Sequence, residues 1–151
     1  MDQTPFRFGL ERVRELREHD EDRAREEFAA SLTRRRRDEA ALRAAAELVA
    51  NARQARLGGA AAPLSGQHLI TQHLWLERVE SDRRQAELQV ARRDAEIESR
   101  RLALGAAQQR REVIERLKDR HREKHQAADA LRAAATLDEM ALSIHRRRSQ
   151  A

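Results

Sequence analysis

The sequence predicts an all-α chain: two long helices in an antiparallel coiled-coil hairpin, the second overhanging at its C-terminus. Three observations predict it. Strong helix formers (Ala, Glu, Arg and Leu) dominate, with charged residues at 38% and aromatics at 3%, a coiled-coil composition rather than that of a globular core. The 5 Gly and 2 Pro leave long stretches unbroken, and several of them cluster over residues 58–66. Apolar residues recur at steps of three and four, the mark of a helix face.

Taken in order, the elements form one coiled-coil hairpin over residues 1–151. Helix one, with a short lead, covers residues 1–57, the turn 58–66 and helix two 67–151. Thr4-Pro5 suits a helix start, and Gly9 weakens it, so Leu10 is the alternative first residue. The first stripe runs through Phe6, Leu10, Val13, Ala24, Phe28, Leu32, Leu42, Ala45, Val49 and Ala52, interrupted by Arg17, Asp20, Arg35 and Asp38. Gly58 is placed to end the helix in a left-handed conformation. Pro63 stops any continuation, and Ser65 is an N-cap for the next helix.

In helix two, Leu69, Leu76, Val90, Ile97 and Leu104 lie on a seven-residue ladder, with Arg83 and Arg111 on two of its rungs. Leu74, Leu88, Ala95 and Leu102 form a second ladder, read as lying beside the first. Such repeats imply a left-handed supercoil. Gly105 marks a bend or a close contact. At 1.5 Å per residue the helices reach roughly 75 and 120 Å. Folding back at residues 58–66 then covers helix two to about Val113. From Ile114 onward no intrachain partner is expected, and a lone helix is marginal in water. Leu117, Leu131, Leu137, Met140, Leu142 and Ile144 therefore predict an interface with another molecule.

Several functions are excluded or disfavoured. With no Cys there are no disulfides or thiolate metal sites, which fits a reducing cytoplasm. The longest uncharged stretch, residues 57–76, is too polar to span a bilayer, and no secretory signal is visible; a soluble protein is expected. The net charge of +5 is spread along the chain except at Arg34-Arg35-Arg36-Arg37 and Arg146-Arg147-Arg148. These runs suit phosphates, nucleic acid or anionic lipid. A solvated face and a helix C-terminus account for them more simply, and no nucleic acid is expected. His121 and His125 sit one turn apart, a metal-binding spacing, but Arg122 and Lys124 disfavour a dication. With no phosphate loop and no deep pocket to shift carboxylate pKa values, neither catalysis nor a cofactor is expected. Trp75 is read either as a partner hot spot or as packing beside the seam.

Two segments resemble a known family. Phe6-Arg7-Phe8-Gly9-Leu10-Glu11-Arg12-Val13-Arg14-Glu15-Leu16-Arg17-Glu18 resembles the N-terminal signature of the FliJ family, proteins of the bacterial flagellar type III export apparatus. Glu115-Arg116-Leu117-Lys118, followed by Leu137-Asp138-Glu139-Met140-Ala141, is similar to that family's C-terminal stretches, and Leu76-Glu77-Arg78-Val79 to its second-helix start. The resemblance implies a non-catalytic central stalk of the hexameric export ATPase, contact with the cytoplasmic domain of the membrane export gate, and binding of export chaperones. It also implies a cytoplasmic location, peripheral to the membrane. On that basis Leu117, Leu131, Leu137, Asp138, Glu139 and Met140 are assigned to the ATPase. Leu42, Ala45, Val49, Leu69, Gln72, Leu76 and Arg83 are assigned to the export gate, although Ala45, Leu48 and Val49 stand where family members commonly carry aromatics. The alternatives are the equivalent stalk of a virulence secretion system and a basic coiled coil associated with nucleic acid.

Overall fold

The computed structural model describes residues 5–58 and 65–149. They form two helices, α1 over Glu11–Gly58 and α2 over Gly66–Arg148. The helix starts one residue after Leu10. Residues 5–8 are irregular, Gly9 and Leu10 form a turn, and the Glu11 N–H donates to the Phe8 carbonyl at 3.2 Å. An acidic first residue suits the positive end of a helix. Gly58 is the last helical residue, and no described glycine has a positive φ, so the expected left-handed ending is not how α1 stops. Pro63 and the rest of residues 59–64 lie outside the described residues. Ser65 caps α2 as expected: the His68 N–H donates to its carbonyl at 3.0 Å and its Oγ at 3.3 Å. Gly105 lies within α2, and a Cβ there would meet nothing within 4 Å, so it marks no close approach.

The chain divides into two compact units, Asp22–Ala106 and the remainder. In Asp22–Ala106 the helices run antiparallel, as the cross-helix ion pairs show. Glu27 pairs with Arg100 at 2.6 Å, Arg34 with Glu96 at 2.7 Å, Arg35 with Asp94 at 2.7 Å, Asp38 with Arg93 at 2.8 Å, and Arg53 with Glu80 at 2.7 Å. As the α1 number rises, the α2 number falls. Between these pairs lie Val49, Val79 and Ser31, all buried, with Phe28, Leu42, Leu76, Val90, Ile97 and Leu104 half-buried. Arg35 and Asp38, read from sequence as breaks in the stripe, are half-buried seam positions. The seam is continuous and partly ionic.

One expectation is overturned here. Leu74, Leu88 and Leu102 are 58%, 59% and 62% exposed, and Ala95 is exposed too. The second ladder therefore lies on the face of α2 turned away from α1. Its period equals that of the true seam, so spacing alone cannot rank the two.

In the other unit, described residues up to Glu21 pair with α2 between Ala107 and about His125. Glu21, 4% exposed, bonds Arg111. Arg14 reaches Glu115 at 3.4 Å and Glu11 meets Lys118 at 2.9 Å. The lead then continues along α2, with Phe8 against His121 and Phe6 against His125. Pairing thus extends to about His125 and does not stop at Val113. Ile114 and Leu117 are half-buried inside the unit.

The two ladders should respond differently to truncation. Val79→Ala, at 2% exposure, should cost about 1–3 kcal/mol by lost burial and a cavity. Leu88→Ala should stay within about 0.5 kcal/mol in dilute solution. Urea titrations followed by circular dichroism check both, and equal losses would contradict the assignment of faces.

Candidate functional surfaces

The first surface lies in the unit that holds both ends of the described chain. Phe6 and Phe8 sit edge-on to His125 and His121, with ring centroids 5.7 and 5.8 Å apart. Arg122 and Lys118 lie over the same two phenyl rings, each 5.9 Å from the centroid, an attractive placement for a cation. The His125 Nδ1 also lies 3.0 Å from Asp129. The histidine spacing that suggested a metal therefore serves to grip the lead. Among the described residues no group of three His, Cys, Asp or Glu side chains could hold an ion. Hydrogen bonds from Lys118, then Arg14, hold the Glu11 carboxyl below its ordinary value of 4.5.

Beyond this clasp α2 has no covering element among the described residues. Residues 130–142 are all exposed, and Leu131, Leu137, Met140, Leu142 and Ile144 are each at least half exposed. At 100° per residue, Leu137, Met140 and Ile144 share one side, while Leu131 and Leu142 share another. Of the residues assigned to the ATPase from sequence, Leu131, Leu137, Asp138, Glu139 and Met140 lie on this open end, and Leu117 lies inside the paired region.

The second surface belongs to Asp22–Ala106. Of the residues assigned to the export gate, Val49 is buried, and Leu42, Ala45, Gln72, Leu76 and Arg83 are half-buried in the seam; Leu69 is exposed. The outward surface beside them is a shallow groove of about 240 Å³ lined by Leu48, Asn51, Ala52, Ala55, Gln72 and Trp75. The Oε1 of Gln72 and the Nε of Arg83 are buried without a hydrogen-bond partner. Sequence reasoning missed Asn51 and Ala55, and it named Leu48 and Ala52 without assigning them to this surface. Once Val49 and Ala52 are known seam positions, their neighbours on α1 become the rim, and that register was the missing signal. Trp75 is a groove wall, 54% exposed.

The arginine run at residues 34–37 behaves differently from a free basic patch, whereas Arg146, Arg147 and Arg148 are exposed. Arg34 and Arg35 are held by Glu96, Asp94 and Glu39, leaving Arg36 and Arg37 outward. Among the described residues no helix is long and apolar enough to cross a membrane.

A family model described as the flagellar FliJ protein matches residues 6–150. The chain belongs to the FliJ family. No curated protein and no solved structure gives a match. Membership makes this FliJ-family chain a component of the flagellar protein export apparatus, a type III secretion system, in a family that is structural and non-catalytic.

The ionic seam makes stability pH-dependent. Glu11, Glu80 and Glu96 all have lowered pKa values, caused first by hydrogen bonds from Lys118, Arg53 and Arg93 respectively. A depressed folded-state pKa contributes stability above the unfolded value that is lost as pH falls through the folded one. The thermal midpoint should therefore fall as pH drops below about 4.5, and the Glu11→Gln/Glu80→Gln/Glu96→Gln variant should show a shallower fall. Melting curves from pH 7 to 3 check this.

Proposed function

We propose that this chain is the central stalk of the hexameric export ATPase, linking it to the membrane export gate and escorting export chaperones. One observation supports this reading above the others. The end of α2 that pairing leaves uncovered is apolar on two sides, through Leu137, Met140 and Ile144 and through Leu131 and Leu142. A helix apolar on more than one side is one that gets surrounded, as an axle inside a ring would be. Asp138 and Glu139 add carboxylates on the same turn. Leu117, half-buried in the paired region, supports that end from below.

The gate contact belongs, in this reading, to the groove of Asp22–Ala106. There Leu69 and the rim residues Leu48 and Trp75 offer apolar surface. Leu42, Ala45, Val49, Leu76 and Arg83, buried or half-buried in the seam, act in this reading by holding the two helices together beside it. The chain is then cytoplasmic and peripheral to the membrane through its partners.

The ATPase assignment is tested by deleting residues 130–151, which keeps every pair up to His125. The truncated chain should remain helical by circular dichroism and lose ring binding in a pull-down. Leu131→Glu/Met140→Glu should weaken binding at least about tenfold, a loss of roughly 1.4 kcal/mol. Undiminished binding by the truncated chain would refute the stalk end.

A further inference from the structure

Apart from Trp75, which also walls the groove, the outer face of α2 in Asp22–Ala106 is used by neither the seam, the groove nor the proposed ring contact. Five large apolar residues on it, Ile70, Leu74, Trp75, Leu88 and Leu102, are 54–62% exposed. Their centre line runs Thr71, Leu74, Arg78, Ser81, Gln85, Leu88, Arg92, Ala95, Ser99 and Leu102, alternating steps of three and four. This is a second heptad seam on a helix that already has one.

We propose that this face pairs with the same face of a second copy of the chain, antiparallel about a point between Ala86 and Glu87. In that register Leu88 lies opposite Gln85 of the second copy, Leu74 opposite Ser99, Leu102 opposite Thr71, Arg78 opposite Ala95, and Arg92 opposite Ser81. Leucines meet small or flexible side chains, and each arginine meets a small one. Trp75 covers Ser99 and Leu102 of the second copy at both ends of the contact.

The charges select this register. Arg92 makes no ion pair among the described residues, and the register sets it beside Asp82 of the second copy. Arg78, 3.5 Å from its own Asp82, lands on the flank of Glu96 of the second copy, a carboxylate that Arg34 and Arg93 already hold in the seam, so the Arg92–Asp82 pair is the one that decides. Shifting the pairing by one heptad either way places both arginines against leucines and away from every such carboxylate. A parallel pairing stacks Arg78 on Arg78 and Arg92 on Arg92, which like-charge repulsion opposes. At the rim Glu77 meets Glu98, where His73 and Arg101 already offset them.

The size of the face sets the strength. Residues 71–102 span about 48 Å, and a stripe one helix wide covers roughly 500 Å² a side. This is below the roughly 800 Å² per partner of a standard stable interface, so the dimer is weak and concentration-dependent.

Sedimentation equilibrium of the full chain from about 1 to 200 μM, the range in which such an interface titrates, should show the mass rising from monomer towards dimer. Leu74→Glu/Leu88→Glu should stay monomeric with unchanged helicity, since both side chains are exposed. Arg92→Asp should weaken association, and adding Asp82→Arg should restore it. The chain has no Cys, so introduced thiols report orientation cleanly. Leu74→Cys/Ser99→Cys should form a disulfide-linked dimer under mild oxidation, and Leu74→Cys alone should not. A monomer at every concentration would overturn the proposal. So would association unchanged in Leu74→Glu/Leu88→Glu, or cross-linking by Leu74→Cys alone as fast as by the pair.

Discussion

Carboxylate–guanidinium pairs crossing from α1 to α2 are the constraint on which everything else depends. Apolar burial is sparse: among the described residues only Phe8, Val49, Val79 and Ala107 are buried apolar side chains. A seam this thin holds two helices together without fixing their register, because sliding by one heptad keeps most apolar contacts. The pairs remove that freedom. Glu27 with Arg100 and Asp38 with Arg93 in one unit, and Glu11 with Lys118 and Glu21 with Arg111 in the other, are satisfied in one direction and one register. Partly exposed ion pairs contribute little energy singly; their contribution here is specificity.

That register decides which parts of α2 remain available. It carries pairing to His125, where the lead's two phenylalanines close against two histidines, and leaves residues 130–142 uncovered. It turns Leu74, Leu88 and Leu102 outward and draws Arg83, Arg93, Arg100 and Arg111 inward. A helix whose seam is rich in arginine and whose outer face carries leucines has its usual pattern partly inverted, and the inversion leaves apolar surface for partners.

Much of this was legible in the sequence. Gly58 and Gly66 marked the end of α1 and the start of α2, Ser65 announced the cap of α2, and the ladder through Leu76, Val90 and Ile97 identified the seam. Two features were not legible. Periodicity gives a spacing without a facing partner, so the ladder through Leu74 and Leu88 was indistinguishable from the true one. Counting residues back from a tight turn at 58–66 sets Arg53 opposite Thr71, whereas the structure pairs it with Glu80. Pairing between segments this far apart in sequence is encoded by no local pattern. The longer overlap brought Leu117 into the paired region and left Val49 and Leu76, which the sequence had offered as surface residues, within the seam. The end of α2 stayed legible because Leu131, Leu137 and Met140 lie beyond any reach of α1.

The most direct test of the account is amide hydrogen exchange along α2, with and without the export ATPase. The isolated chain should show strong protection over residues 107–125 and fast exchange over 130–148, and adding the ATPase should slow the second segment while leaving the first unchanged. Equal protection of both segments in the isolated chain, or no slowing of residues 130–148 on adding the ATPase, would contradict it.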